Sequence, residues 1–458
     1  MGNEEAGDCR LESVGRCGRS MSTTFSAEMN REGFDEMVMT RCEPNWLTDL
    51  RSGAWKVFEE TPLPDPKAEN WRRTDLRLFR FDRYRLPHAG ATTEAETLPE
   101  ALLAQGVELA GQLCSRDGRV VGSRLDEKWS SQGVIFESLD SAAVQRETLV
   151  RPYLMDRIVD SKADKFAALH SACWSGGALL YVPRGVVVDE PLHVLSAMSE
   201  DGTDFGRTIV VLEEGAEATL LTETASDARD GTGLHCGAIE IHVGARAKLR
   251  FVNLQNWGTG VWHFGHQKAV VATGGQLQWT VGALGARLAQ VEQQVVLAGR
   301  NAEAQVNGVM FTEGKQHLVY NTHQHHEQPD CHSDLLYKGA LQDRSRVVWR
   351  GMIKVDPDAQ KTDAYQRNDN LVLSDHARAD SIPGLEIEAD DVRCSHGATA
   401  GRVDDEQIFY AQNRGLTRKE AIRMIVTGFF QQVFDRITIE SVREALGEAI
   451  RRRVRDFE

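Results

Sequence analysis

The sequence lacks any long hydrophobic run. No stretch of its 458 residues approaches the roughly 18 consecutive apolar residues of a membrane-spanning helix. The opening letters, MGNEEAGDCRLES, contain early acids and no apolar core, so a secretory signal peptide is not expected. Residues 1–22 are predicted to form a disordered extension. These absences favour a cytoplasmic protein with no part in the membrane.

A positive net charge and paired cysteines are missing as well. The formal net charge is −15 and the one basic cluster, RRRVR, is short, which argues against a nucleic-acid-binding protein. The eight cysteines are scattered without a CxxC pair, a pattern that suits a reducing compartment better than a disulfide framework. A chain of this length is expected to form two or three units rather than one core.

The hydrophobic period divides the chain into three folded parts. Residues 23–165 are mostly helical in pattern, and their last helix is predicted at SKADKFAALH with Ser161 as its cap. Residues 166–402 consist of short strand-like segments separated by turns that contain glycine or aspartate. Residues 403–458 return to a helical pattern.

Turn residues in the middle part recur at two intervals. Gly215, Gly244 and Gly274 are 29 and 30 residues apart. A second series has intervals of 15, 17 and 16 residues: Asp343, Asp358, Asp375 and Asp391. Regular turns between short strands are typical of a solenoid, whose coils bury apolar residues against one another. A β-sandwich is the alternative, and the length of the region favours the solenoid.

The C-terminal part predicts amphipathic helices. Asp404 or Asp405 can cap the first helix, and Thr417 begins a capping box with Glu420. A broad apolar face follows at helical spacing: Ile422, Ile425, Val426, Phe429, Phe430 and Val433. Two roles remain open for this face. It packs on the end of the solenoid, or its Phe429, Phe430 and Val433 contact a partner protein.

Two motifs only approximate known binding sites. GVMFTEGKQ, from Gly308 to Gln316, has the wrong glycine spacing for a phosphate loop and is predicted to be a turn. YNTHQHHEQPDCHSDL is rich in histidine and places His323 and His325 on one side of an extended strand. The histidine-rich stretch, from His323 to His332, is interpreted as a polar surface loop, with a transient metal contact as the alternative.

The stretch EIEADDVRCSHGATAG combines a strand, a corner and a second extended segment. Leu385, Ile387 and Ala389 alternate with acids, which predicts a half-buried strand. Beyond the corner, Cys394 and His396 are two residues apart and therefore lie on one face. A four-coordinate metal or a cluster needs more ligands than these two. The chemistry alone leaves structural residues as the default and metal ligands as the alternative.

Longer motifs resemble a known family. SIPGLEIEADDVRCSHGATAGRVDDEQIFYAQNRGL, KTDAYQRNDNLVLSD and ENWRRTDL are similar to segments of the SufB/SufD family of iron–sulfur cluster assembly proteins. Within that family, CSHGATAG resembles the SufD type more than the SufB type. The resemblance implies a mainly β fold, in which a right-handed parallel β-helix is flanked by N-terminal and C-terminal helical regions.

The same resemblance implies a non-catalytic scaffold subunit of a SufBCD complex. Its partners would be a SufB-like subunit, a SufC-like ABC ATPase at the C-terminal helices and, indirectly, a cysteine desulfurase. A transient iron–sulfur cluster would be shared with SufB, with His396 and Cys394 on this chain's side of the interface. No cofactor would be tightly bound to the isolated chain, which is expected to be able to form a homodimer.

Three other functions stay open. A SufB-type subunit is the first alternative. A carbohydrate-active β-helix enzyme would place catalytic acids in a surface groove, and its candidates would be Glu386, Glu388 and Asp390. A plain metal-binding protein would use the histidine-rich stretch.

Overall fold

The structure is a computed structural model that describes residues 28–87, 98–155 and 159–454. The predicted extension, residues 1–22, lies outside the described residues. The helices are α1 (Arg31–Arg41), α2 (Asn45–Glu60), α3 (Glu127–Ser130), α4 (Leu139–Gln145), α5 (Glu147–Met155), α6 (Lys165–Cys173), α7 (Asp405–Asn413), α8 (Arg418–Phe434) and α9 (Glu440–Arg453). None of these helices has both the length and the apolar character needed to cross a membrane.

The strands build two sheets. They are β1 (Gly111–Arg116), β2 (Arg119–Leu125), β3 (Ile135–Ser138), β4 (Ala178–Val182), β5 (Leu192–Met198), β6 (Gly202–Asp204), β7 (Arg207–Leu212), β8 (Glu217–Ser226), β9 (Thr232–Val243), β10 (Lys248–Asn256), β11 (Gly260–Val271), β12 (Gln276–Ala283), β13 (Leu288–Leu297), β14 (Glu303–Thr312), β15 (His317–His326), β16 (His332–Leu341), β17 (Arg346–Val355), β18 (Asp363–Val372), β19 (Arg378–Ile387) and β20 (Arg393–Arg402). Sheet A has the order β2-β1-β5-β8-β10-β12-β14-β16-β18-β20, and sheet B the order β19-β17-β15-β13-β11-β9-β7-β4-β3.

From β7 onward, consecutive strands alternate between the two sheets and each pairs in parallel with the strand one coil away, which makes a β-solenoid. The predicted mainly β solenoid with helices toward both ends is confirmed. Its geometry also explains the two intervals in the sequence. Gly215 and Gly244 lie in turns one full coil apart, whereas Asp343 and Asp358 lie in consecutive turns, half a coil apart.

The core of the solenoid is formed by every second residue of each strand. Trp279, Tyr320, Tyr337 and Trp349 point inward and are at most 1% exposed. Burial of a large apolar side chain contributes about 1.5–3 kcal/mol. Because register is continuous from coil to coil, an inward residue on one strand stacks on the inward residue of its partner strand. Stacking of this kind leaves the last coil without a neighbour on one side.

The N-terminal region packs along the outer face of sheet B. Phe34 and Trp55 belong to one apolar cluster with Phe166 on α6 and Phe264 on β11. The region also contributes strands that its helical pattern did not predict: β1, β2 and β3 extend the two sheets.

The residue that caps α6 differs from the prediction. Asp164, not Ser161, accepts the hydrogen bonds of the first amides, because its side chain immediately precedes the helix.

The C-terminal helices begin where the sequence predicts. Asp404 caps α7, and Thr417 and Glu420 form the capping box of α8. These helices do not cover the end of the solenoid. They lie on the outer face of sheet A, where their apolar residues meet outward residues such as Val309 and Phe311. The outward positions of sheet A are apolar there, and they can be buried only by a layer placed on that side.

Candidate functional site

The last coil of the solenoid, formed by β19 and β20, is here called the terminal coil. Both strands are the outermost of their sheets, so within the described residues no strand pairs with their free edges. Most residues of β20 are exposed, although six of their ten partners on β18, one coil earlier, are buried. The terminal coil therefore presents an open cross-section of the solenoid, with unpaired backbone groups along two edges.

Inward apolar residues of the terminal coil are uncovered. Leu385 pairs with Ile353 and Ile387 with Val355, and both of these partners are fully buried. Leu385 and Ile387 themselves are 37% and 40% exposed, so the prediction of a half-buried strand is wrong for them. Both side chains point in the predicted common direction, but in the part of the chain that the structure describes no further coil stacks on them. Ala389, at the corner, is buried as predicted.

Cys394 and His396 lie in the same open cross-section. They pair with Ala364 and Gln366, which belong to the solenoid interior, so the two side chains share the inward face of β20. His396 is exposed, whereas Cys394 is half-buried against a small apolar cluster that includes Ala364 and Ala389. Burial, with a smaller contribution from Asp363, raises the pKa of the Cys394 thiol. The thiol is therefore protonated at neutral pH.

The terminal coil does not hold a complete metal site. Among the described residues, no group of three or more His, Cys, Asp or Glu side chains could hold a metal ion. The nearby acids Glu386, Glu388 and Asp390 are exposed, and Lys354 forms an ion pair with Glu386 at 3.3 Å. Cys394 and His396 supply at most two ligands, so any cluster bound here needs ligands from another molecule.

The histidine-rich stretch was predicted to be a surface loop, and this prediction is wrong. The stretch consists of the end of β15, a short turn and the start of β16. The rings of His323 and His325 stack outward with centroids 5.8 Å apart. His326 points inward and is hydrogen-bonded to Ser333 at 2.8 Å, and Cys331 is buried. The donors thus diverge to opposite faces of the sheet and do not form one site.

The segment GVMFTEGKQ ends in the predicted turn. Its first half continues β14 to Thr312, and the turn contains Gly314, whose φ of +61° suits glycine. Gln316 donates hydrogen bonds to the carbonyl groups of Leu284 and Ala286 in the preceding coil. These contacts give the segment a structural role at the edge of the solenoid.

The predicted partner surface on α8 requires correction. Phe430 and Val433 are fully buried against sheet A, and Phe429 is half-buried beneath the Lys338 ammonium, which lies 4.7 Å from its ring centroid. The exposed large hydrophobic residues described in these helices are instead Phe409, Tyr410 and Met424. Sequence periodicity identified the apolar stripe of α8 but could not show that the stripe packs within the chain.

Comparison with known proteins identifies a family. The family model described as "SUF system FeS cluster assembly, SufBD core domain" matches residues 194–429, and the SufBD N-terminal region matches residues 34–194. The chain belongs to the SufBD family of iron–sulfur cluster assembly proteins. The resemblance predicted from the sequence is thereby confirmed, and the SufBD core match includes the solenoid from β5 onward together with α7 and most of α8.

Curated relatives carry the same family name. An iron–sulfur cluster assembly SufBD family protein of Staphylococcus epidermidis is 28% identical over 430 residues, 90% of this chain and 91% of its own length. A relative from Staphylococcus haemolyticus is 29% identical over 419 residues, 88% of this chain and 89% of its own length. Both similarities extend over nearly the whole length of this chain and of each relative.

Proposed function

We propose that this SufBD-family protein is the SufD-type, non-catalytic scaffold subunit of a cytoplasmic SUF complex. The observation that carries the proposal is the open terminal coil, where Leu385 and Ile387 are uncovered beside His396. In the proposed complex this coil pairs with a SufB-type subunit, and the nascent iron–sulfur cluster forms where the two chains meet.

The edges of the terminal coil support pairing with another solenoid. Unpaired strand edges tend to add a further strand, and the backbone groups of β19 and β20 are available for this. Burial of Leu385 and Ile387 would contribute about 25 cal/mol for each Å² of apolar surface removed from water. A second copy of the chain offers similar edges, which is why a homodimer is proposed for the isolated subunit.

The incomplete ligand set supports a shared cluster. His396 is accessible, and the Cys394 thiol would have to lose its proton before it could bind iron. The remaining ligands would come from the SufB-type subunit. We therefore propose that the isolated chain holds no tightly bound cluster and that Cys394 contributes less than His396.

The ATPase of the proposed complex would be a separate SufC-like subunit. The exposed Phe409, Tyr410 and Met424 on α7 and α8 offer it an apolar contact surface on the outer side of sheet A. Sulfur would reach the cluster from a cysteine desulfurase through the SufB-type subunit, so the desulfurase would be an indirect partner.

Co-purification and cluster reconstitution test the proposal. The full chain is co-expressed with SufB-like and SufC-like partners, and the complex is reconstituted anaerobically and followed by UV–visible spectroscopy. His396→Ala should abolish or strongly slow cluster formation while the complex still assembles. His376→Ala, which removes an exposed histidine from the turn before β19, is the matched control and should behave like the wild type.

Two results would contradict the proposal. A wild-type rate of cluster formation in His396→Ala would remove this residue from the mechanism. Capture of a SufD-like instead of a SufB-like partner would make this chain the SufB type, the alternative that the family name leaves open.

A further inference from the structure

A polar cleft of about 580 Å³ lies on the outer face of sheet B. Its floor is formed by outward residues of β11, β13, β15 and β17, and its walls include the segments around Asn70 and Asp164. We call it the polar cleft and define it by six lining residues: Asp164, His266, Lys268, Glu292, Asn321 and Arg350. A cleft of this size suits a small molecule, and neither the cluster site nor the proposed partner surfaces use these residues.

Continuous register brings the floor residues into one row. His266, Glu292, Asn321 and Arg350 occupy paired positions on four successive strands of sheet B. Asn321 donates a hydrogen bond of 2.5 Å to Glu292, and His266 is hydrogen-bonded at 2.9 Å to Asp164, the cap of α6. The row therefore contains hydrogen-bonded pairs and is not a set of isolated surface residues.

The charges on this network are set by burial. Burial alone would lower the pKa of His266, but Asp164 raises it above its ordinary value, so the two form an ion pair. Burial raises the pKa of Glu292 to about 7, although hydrogen bonds from Asn321 and Gln290 and the charge of His266 oppose the rise. At or below neutral pH, Glu292 is thus substantially protonated and can donate a hydrogen bond into the cleft.

Two cations of the cleft have no carboxylate partner among the residues that the structure describes. Within the described ranges, neither Lys268 nor Arg350 has a carboxylate at ion-pair distance, whereas the neighbouring Lys354 is paired with Glu386 at 3.3 Å. Arg350 donates a hydrogen bond to the side-chain carbonyl of Asn70 and retains its charge. Lys268 and Arg350 lie three strands apart, a backbone separation of roughly 14 Å across the sheet.

We propose that the polar cleft binds an elongated small-molecule polyanion, with its anionic groups at Lys268 and Arg350 and its middle over Glu292 and Asn321. Phosphate and carboxylate groups share the required chemistry, since both accept hydrogen bonds from ammonium, guanidinium and amide groups. The inference is independent of the proposed role in cluster assembly, because the cleft lies within one chain.

Isothermal titration calorimetry of the full chain tests the proposal with tripolyphosphate, ATP and citrate as probes. We expect at least one of these polyanions to bind, while neutral adenosine and cationic putrescine do not. Lys268→Gln and Arg350→Gln should each weaken binding by about tenfold or more, since each removes a hydrogen-bonded charge. Lys248→Gln, an outward lysine of sheet A, is the matched control and should leave binding unchanged.

Comparison of the probes identifies the ligand chemistry. Preference for tripolyphosphate and ATP would assign a phosphate ligand, and preference for citrate a carboxylate ligand. Affinity should fall as pH rises from 6 to 8, because deprotonated Glu292 repels an anion. Glu292→Gln should remove that part of the pH dependence for the same probe, with Asp164 and His266 left in place.

Several results would overturn the proposal. They are the absence of binding by all three polyanions, equal binding of adenosine or putrescine, an equal loss of affinity in Lys248→Gln, and an unchanged pH dependence in Glu292→Gln. Circular dichroism of each variant shows whether it is folded. If a glutamine variant unfolds, Lys268→Arg and Arg350→Lys retain the charge and should retain most of the binding.

Discussion

Gln366 and His396 occupy paired positions on neighbouring strands, but Gln366 is fully buried and His396 is exposed. The two residues have the same backbone phase and point into the same interior row. The two positions differ in coverage, because β20 pairs with the free edge of β18, whereas no described strand pairs with the free edge of β20. The site proposed for cluster assembly is therefore an interior position of the solenoid that the end of the solenoid opens to solvent.

Substitution at the open end should separate assembly from folding. We expect Leu385→Arg or Ile387→Arg to prevent stable association with the SufB-type partner, since a charge would then be buried in the interface. The free energy of unfolding should change by less than about 1 kcal/mol, because both side chains are exposed in the isolated chain. Size-exclusion chromatography of the mixed subunits and denaturant titration measure the two quantities.

The control for that experiment is Val144→Arg on α4, which changes a residue that is 49% exposed away from the terminal coil. It should neither weaken association nor change stability. Wild-type association by both terminal-coil variants would place the interface elsewhere.

Two substitutions in the C-terminal helices should have different effects, one on the stability of the chain and the other on partner binding. Phe430→Ala removes a fully buried ring from the contact with sheet A, and we expect it to lower the free energy of unfolding by about 3–5 kcal/mol. Phe409→Ala changes a side chain that is 66% exposed and should leave stability nearly unchanged while it weakens binding of the SufC-like subunit. Unfolding curves and a pull-down with the ATPase test both. A stable Phe430→Ala protein would contradict the described packing.

A buried arginine of α2 forms an ion pair and also joins α2 to the end of α6. Arg51 is fully buried, bonds Glu43 at 2.6 Å and donates to the backbone carbonyl groups of Ala172 and Trp174. We expect Arg51→Met to cost about 3–5 kcal/mol in unfolding free energy, since it leaves the Glu43 carboxylate buried without its main partner. Chemical denaturation measures the cost.

The exposed pair between Arg31 and Asp35 provides the comparison for Arg51. Arg31→Met should cost less than about 1 kcal/mol, because solvent screens the charges. Equal costs for the two arginines would show that burial does not decide the strength of the Glu43 pair.

The stability of the protein should depend on pH through Glu223. Its carboxyl group accepts hydrogen bonds from the amides of Leu102 and Leu103, but burial outweighs them and raises its pKa to about 7. Below the unfolded-state pKa, about 4.3, the group is protonated in both states and costs nothing. As pH rises from there to about 7, the unfolded state ionises first and stability is lost.

Glu223→Gln should therefore reduce the decline of unfolding free energy between about pH 4.5 and 7, by about 1.4 kcal/mol for each unit of pKa shift removed. Denaturant titrations at pH 4.5, 6 and 7.5 measure this difference between variant and wild type. The exposed Glu108→Gln should follow the wild-type profile. An identical profile for Glu223→Gln would show that this carboxyl group does not titrate in that range.

Local patterns in the sequence determined the class of fold and the starts of α7 and α8. The interval between Gly215 and Gly244 is the length of one coil, and the interval between Asp343 and Asp358 is half a coil. The cap at Thr417 and the strand that carries Cys394 and His396 were also predictable. These features depend on residues close together in the chain, where backbone preferences and side-chain alternation act directly.

Tertiary structure alone decided which residues are covered. Leu385 and Ile387 have the alternation of a buried strand, yet they are exposed because no coil follows β19 and β20 within the described ranges. Phe430 was a candidate for contact with a partner protein, but sheet A buries it. Asp164, Glu292 and Arg350 are far apart in the sequence, yet they line one cleft. The exposure of a side chain, and the set of residues that line one cleft, depend on which elements pack beside them. Periodicity along the chain carries no information about those neighbouring elements.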